Sequence, residues 1–479
     1  MAAHSDEWER LRPLGHLAAV SSSEERPGRS PDPTAVDRRP PAAQPVAIVR
    51  YHLVTLGCAK NTVDSMRMES ALRHARHTAV ATPEDADVLF VNTCGFIDAA
   101  KDESIEVVRA LDASRRPGQQ LVVVGCMTQI AEAELRAAVP AVDATFGVEA
   151  WDEVALSLGP AVETYDIPQP AAAGLLATGP SAYLKISDGC DRPCTFCIIP
   201  TIKGRMHSDA ADRLLREARW LAAGGAKELV LVAQDSTAFG EDRGERDGLA
   251  TLLEQLAEAV PDVPWIRLMY AYPGRVTRRL AETMARLPNV VPYLDMPLQH
   301  GSDAVLRRMK RPSLRKARES IEAIRTAMPD AVLRTTFIVG YPGETEREFR
   351  ELLAFIEEQR FDHVGAFTYS PQPGTPAASE AGQVPERVKQ KRYARLMELA
   401  QGIAHERNRA MVGRELDVLV ESDAPAQSEA GGPVVVGRTY RDAPEVDGLA
   451  FLKGEYPSGA LVRARVDGAL PYDLLCSPV

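Results

Sequence analysis

Short apolar runs alternating with helical stretches constrain this 479-residue chain more than any other feature. The first series places strands at Ala47–Leu56, Val88–Val91, Leu121–Val124 and Val142–Phe146, with helices near Ser65–His77, Ala99–Leu111 and Ile130–Ala138 between them. Strand-helix alternation implies a parallel sheet with right-handed crossovers. A second series predicts strands at Tyr183–Ser187, Glu228–Ala233, Trp265–Tyr270, Val291–Met296, Val332–Val339 and His363–Tyr369. Helical stretches lie between these strands, and six such units fall short of the eight of a closed barrel. The expected form is a laterally open (β/α)6 partial barrel. After a charged helix over Pro385–Met411, short strands separated by Gly, Pro and Asp predict a small all-β barrel. The expected class is therefore α/β multidomain: residues 47–160 a parallel α/β sheet domain, 161–180 a linker, 181–410 the partial barrel, and 411–479 the β module. Residues 1–46 carry seven prolines and no sustained period, and are expected to be a disordered extension.

Seven cysteines occupy this framework in two patterned sets plus Cys476 alone in the β module, where it reads as an ordinary side chain. No apolar run reaches 18 residues and no secretory signal is visible, so thiols serving as metal ligands or catalysts are expected rather than disulfides. The same absences predict a cytoplasmic location and no membrane. Cys190, Cys194 and Cys197 form a C-x3-C-x2-C loop after the first barrel strand. Three thiolates at that spacing can hold three irons of a cubane cluster and leave the fourth open. A zinc loop or three unrelated thiols are the blander readings.

Cys58, Cys94 and Cys126 lie 36 and 32 residues apart, about one βα unit each, and each ends an apolar strand. In a parallel sheet these positions share the carboxyl edge, where ligands bind. The adjoining Gly57, Gly95 and Gly125 are expected to let the backbone pass close to a bulky ligand. Three ordinary buried cysteines are the alternative.

Lys plus Arg number 56 against 67 Asp plus Glu, a net charge of −11 that argues against a general nucleic-acid coat. Residues 411–479 hold six basic and eleven acidic residues, 6 − 11 = −5. A tail gripping RNA phosphates should be basic, whereas an acidic one suits a basic protein partner or simply solubility. One basic cluster, Arg307, Arg308, Lys310, Arg311, Arg315, Lys316 and Arg318, reads as a substrate contact or as a solvated helix face.

With its C-x3-C-x2-C loop after the first barrel strand, the chain resembles the radical S-adenosylmethionine superfamily. The two cysteine sets together resemble its methylthiotransferase family, and the β tail is similar to that family's TRAM module. The resemblance covers about residues 47–479. The strings Thr55–Asn61, Val63–Ser65, Asn92–Ile97, Lys185–Asp191, Tyr293–His300, Thr336–Thr345, Phe367–Pro371 and Gly437–Gly448 resemble the branch that modifies ribosomal small-subunit protein twelve (uS12), departing from it at Ala59 and Met66. The resemblance implies two [4Fe-4S] clusters, one on each set, and S-adenosylmethionine chelated at the open iron of the Cys190 set. It further implies an electron donor and a sulfur source. One S-adenosylmethionine would methylate a sulfur at the Cys58 set, and another would yield a radical at the Cys190 set. A methylthio group would then replace hydrogen on the β-carbon of a uS12 aspartate; the family's other branch modifies an adenosine of transfer RNA. Phe196 holds the position expected beside the adenine, or else packs in the core. Gly340–Gly343 resembles a cofactor-facing turn or a plain strand-to-helix turn. No acid or base is identifiable.

Overall fold

The computed structural model describes residues 48–158, 179–422, 426–427 and 432–479. The extension 1–46 and most of the linker, residues 161–178, lie outside them.

The amino-terminal domain is a five-stranded parallel sheet. Its strands are β1 (Arg50–Thr55), β2 (Thr78–Ala79), β3 (Val88–Thr93), β4 (Gln120–Gly125) and β5 (Ala144–Phe146), in spatial order β2-β1-β3-β4-β5. Period-two alternation sends Val88, Phe90, Val122 and Val124 to one face, against Met68 and Leu72 of α1 (Ala59–His74) and Val154 of α4 (Trp151–Ser157). Leu89, Val91, Leu121 and Val123 face the other way, against Ile105 and Val108 of α2 (Asp98–Ser114) and Leu135 of α3 (Cys126–Ala138). Burial on both faces explains why these strands read as unbroken apolar runs.

The second domain is a six-stranded, all-parallel sheet whose spatial order follows the chain. Its strands are β6 (Ser181–Lys185), β9 (Glu228–Val232), β10 (Trp265–Leu268), β11 (Val290–Asp295), β12 (Val332–Val339) and β13 (His363–Thr368). A short ribbon, β7 (Ser187–Asp188) with β8 (His207–Ser208), follows β6. The sheet ends at β6 and β13 without closing, the open partial barrel expected. Leu184, Leu229, Leu231, Ile266, Leu294 and Leu333 face outward and form the largest core with α6 (Ala211–Ala223), α7 (Gly248–Ala259), α8 (Arg278–Arg286), α10 (Leu314–Ala327), α11 (Glu346–Gln359) and α12 (Glu386–Arg409). The short α5 (Ile199–Lys203) and α9 (Asp303–Arg308) pack elsewhere, Ile202 with Cys126 and Val305 with Tyr341 and Tyr369. Tyr183, Val230, Trp265, Tyr293 and Val332 point inward.

Both ends of this interior are filled by other domains. Ala59 and Val63 of α1 join it from the amino-terminal domain, and Leu419 and Ala443 join it from the β module. The β module comprises β14 (Glu415–Val420), β15 (Ala426–Gln427), β16 (Pro433–Arg438), β17 (Ala450–Lys453), β18 (Leu461–Ala469) and β19 (Leu474–Pro478). Pairing of β14 with β16 closes five of them into a barrel, and Cys476 is buried in its core, the ordinary role expected of it. The sequence pattern omits β15 and β19; the latter is only five residues long and ends in Pro478.

The loop between β16 and β17 reaches into the amino ends of the barrel strands. Arg438 donates to Glu228 at 2.6 Å and to Ser181 at 2.6 Å. Asp447 accepts from Tyr293 at 2.6 Å and from Arg334 at 3.1 Å. Arg441 pairs with Asp362 at 3.1 Å, and Arg267 holds both Glu228 and the Tyr440 carbonyl. Arg438, Arg441, Asp442 and Asp447 therefore turn inward and cancel pairwise, which leaves the acidic balance of the tail unchanged.

Candidate active site

Cys58, Cys94 and Cys126 all sit where a strand of the first sheet meets its helix, at the carboxyl edge. Cys58 is the N-cap of α1 and is exposed; Cys94 follows β3 and is buried; Cys126 opens α3 and is buried. The thiols lie close together: charge on Cys58 adds to the raised pKa of Cys94, and charge on both adds to that of Cys126. Burial is the larger cause, and it pushes Cys126 up to about 12 against the opposing charge of Lys203. The glycines beside them also let neighbouring strand ends approach each other closely. A Cβ on Gly57 would lie 2.8 Å from the Cys94 Cβ, and one on Gly125 would lie 2.2 Å from the Asn92 Oδ1. Neighbouring strand ends thus pack directly on each other, and Asn61 ties them by donating to the carbonyls of Leu56 and Thr93 at 2.9 and 3.0 Å.

Cys190, Cys194 and Cys197 occupy the loop after β6 and β7, half-buried at the carboxyl end of the barrel. Burial pushes Cys197 up to about 12, with Cys194 and Cys190 adding to the rise. Among the described residues no three Cys, His, Asp or Glu side chains converge on a single-ion site. A zinc centre needs that convergence, whereas a cubane spreads three thiolates over three irons. All-thiol donors in threes fit such clusters, and iron would hold its cysteine ligands as thiolates.

At the domain junction the first set meets the segment that follows the second. Cys126 shares a hydrophobic cluster with Ile198, which directly follows Cys197, and with Ile202 of α5. Beside it lies a closed ring of four buried charges. Lys185 Nζ is 2.5 Å from Asp64 and 2.6 Å from Asp188; Lys203 Nζ is 2.7 Å from Asp64 and 3.2 Å from Asp188. All four side chains are at most 4% exposed. Burial would raise Asp188, but the charges of Lys185 and Lys203 hold it far below the carboxylate range. Asp64 comes from α1, so the ring ties the first domain to the barrel. Arg67 adds a second tie, at 2.8 Å to Asp209. On the far side Lys101 of α2 donates to Gln372 at 3.1 Å, beyond β13. The first domain therefore spans the open mouth from first strand to last.

The basic cluster divides. Arg308 pairs with Glu348, Lys316 with Glu319 and Arg318 with Glu358, as a solvated surface would. Arg311 instead turns to the cysteine loop, its Nη1 3.7 Å from the Cys194 Sγ. Its guanidinium lies 4.3 Å from the Tyr272 ring centre, and its Nη2 donates to the Pro297 carbonyl. Arg192 approaches the same ring at 4.9 Å and pairs with Asp235 at 2.6 Å. Phe196 is half-buried on Val305, Met309, Tyr341 and Tyr369. Gly340–Gly343 is a strand-to-helix turn whose Gly340 and Tyr341 N–H groups are taken by Glu344.

Sequence reasoning singled out neither the charged ring nor Arg311. Lys185, ending an apolar strand, was the one available signal, since a lysine buried there demands carboxylates.

Comparison with known proteins adds the following. Residues 50–147 match the model described as uncharacterized protein family UPF0004, residues 184–356 that of the radical SAM superfamily, and residues 412–479 that of the TRAM domain. A "Ribosomal protein uS12 methylthiotransferase RimO" of Roseiflexus sp. (strain RS-1) is 46% identical over 461 residues, covering 89% of this chain and 96% of the relative. The protein of the same name from Chloroflexus aurantiacus is 46% identical, covering 89% and 99%. Moorella thermoacetica has one at 43%, covering 88% and 96%. Among solved structures, the radical S-adenosylmethionine methyltransferase TsrM of Kitasatospora setae matches with a TM-score of 0.53 at 14% identity, over 69% of this chain and 74% of that one, a likeness of fold. Identity above 40% over nearly nine-tenths of the chain settles its place: it belongs to the ribosomal protein uS12 methylthiotransferase RimO family of radical SAM enzymes.

Proposed function

We propose that this chain carries out its family's methylthiolation on the β-carbon of a uS12 aspartate in the cytoplasm, with Cys58, Cys94 and Cys126 holding one [4Fe-4S] cluster and Cys190, Cys194 and Cys197 the other. The observation that carries this reading is the packing of Cys126, from one three-cysteine set, on the segment that directly follows Cys197 of the other. Two clusters with S-adenosylmethionine supply the radical and the methylated sulfur, chemistry no side chain here could supply.

The chain's own residues hold these groups in register. The ring of Lys185, Asp64, Lys203 and Asp188 fixes the first domain over the barrel mouth, so that the two sets keep one separation. Arg311 brings a cation to the Cys194 sulfur. Phe196, half-buried on the Met309 patch, is the side chain this reading assigns to the adenine. The first domain covers the mouth and keeps water from a reactive carbon radical. The electron donor and the sulfur source act from outside the chain.

The runner-up substrate, an adenosine of transfer RNA, is disfavoured by the acidic β module. Anaerobically reconstituted protein, given S-adenosylmethionine, a reductant and a sulfur source, is incubated with uS12 and with transfer RNA. Mass spectrometry should find one methylthio group on the uS12 aspartate and none on the RNA. The reverse pattern would overturn the reading.

A further inference from the structure

Lys60 lies two residues after Cys58, in the first turn of α1, and enters the barrel mouth. Its ammonium sits 3.3 Å from the centre of the Tyr270 ring, at the carboxyl end of β10. No carboxylate among the described residues pairs with it. Asp295, whose charge reaches it, already accepts from Arg334 at 3.0 Å and from the Tyr270 N–H at 3.2 Å. The helix start adds positive potential, and α1 has no acidic residue in its first turn to offset it. Tyr270, which presents the ring, is held at φ +62°, a left-handed conformation that a bulky residue keeps only when its surroundings impose it. A cation is thus placed beside the Cys58 set, with an aromatic face beneath it and no carboxylate paired to it among the described residues.

We propose that Lys60 is a substrate-positioning residue that receives the side-chain carboxylate of the target aspartate, with Tyr270 as the floor of that subsite. This rests on the aspartate reading above. The carboxylate is bonded directly to the β-carbon, so clamping it fixes the reacting carbon to within one bond length. It also rewards an aspartate over a neutral residue, because only a carboxylate neutralises the ammonium.

The test uses full-length, cluster-loaded protein and a fluorescent uS12 peptide bearing either Asp or Asn at the target position. Lys60→Met should weaken binding of the Asp peptide by about tenfold to a hundredfold, the worth of one charged hydrogen bond. It should leave the Asn peptide unaffected, while Lys60→Arg restores most of the loss. Iron content and the cluster electron-paramagnetic-resonance spectra should match the parent protein. Equal weakening of both peptides, or no weakening of either, would overturn the proposal. Lost iron or altered spectra would show that Lys60 serves the cluster instead. Failure of the parent protein to modify the Asp peptide would remove the underlying reading, and the proposal with it.

Discussion

Lys185→Met tests whether the four-charge ring is the latch between the first domain and the barrel. With Lys185 in place the ring holds two cations and two carboxylates, all buried. Removing it leaves Lys203 alone against Asp64 and Asp188. Breaking a buried pair this way costs about 3–5 kcal/mol, because a charge stays buried without a partner. The loss falls on the domain junction, so it should appear as local opening of α1 rather than as global unfolding. Hydrogen exchange of α1 amides should then accelerate by about 150-fold or more, at roughly 1.4 kcal/mol per tenfold. The double variant Lys185→Met/Asp64→Leu restores neutrality, leaving Lys203 against Asp188. A buried ion pair replaced by apolar side chains is often neutral to stability, so exchange should return to within about tenfold of the parent. Exchange unchanged in the single variant would refute the latch. Losses that simply add in the double variant would show the contacts to be packing and not charge.

Three further outcomes are expected. Gly125→Ala puts a Cβ 2.2 Å from the Asn92 Oδ1 at φ +101°, at a cost of at least about 1–3 kcal/mol; iron should fall at the Cys126 set alone, read by comparing the two clusters' spectra. Glu228 is raised by burial but held at about 2 by the charges of Arg438 and Arg267. An unfolded Glu titrates near 4.3, so this stabilisation is present at neutral pH and is lost as pH falls from about 4.3 toward 2. Urea titrations across that range should therefore show Glu228→Gln less stable than the parent at pH 7 and less sensitive to acid. Arg311→Met removes the cation beside Cys194 and should make that cluster harder to reduce, shifting its potential to more negative values in redox titration, with iron content retained.

The sheets were legible because their central strands, such as β3, β4, β9 and β10, are buried on two faces, which leaves a plain apolar run in the sequence; β2, two exposed or half-exposed residues at an edge, leaves none. All six barrel strands fall within a few residues of their expected positions. The cysteine sets were legible because βα spacing alone brings Cys58, Cys94 and Cys126 to one edge. The charged ring was not, since Asp64 and Lys185 stand 121 residues apart and only tertiary packing joins them. Arg311 was hidden in a run of cations that are otherwise surface pairs. The inward turn of Arg438 and Asp447 was equally invisible, because a loop of alternating charge reads as solvent-exposed until the barrel floor it fills is known. The close packing at Gly57 and Gly125 was hidden for the same reason: what lies against a glycine is a fact of packing.

The central claim, two separate three-cysteine clusters in one chain, is tested most directly by iron and sulfide content of anaerobically purified protein with Cys58→Ala and Cys194→Ala. About eight irons per chain, falling by roughly half in each variant, is the predicted result. About four irons, lost only in Cys194→Ala, would leave a single-cluster radical enzyme and contradict the account of sulfur insertion.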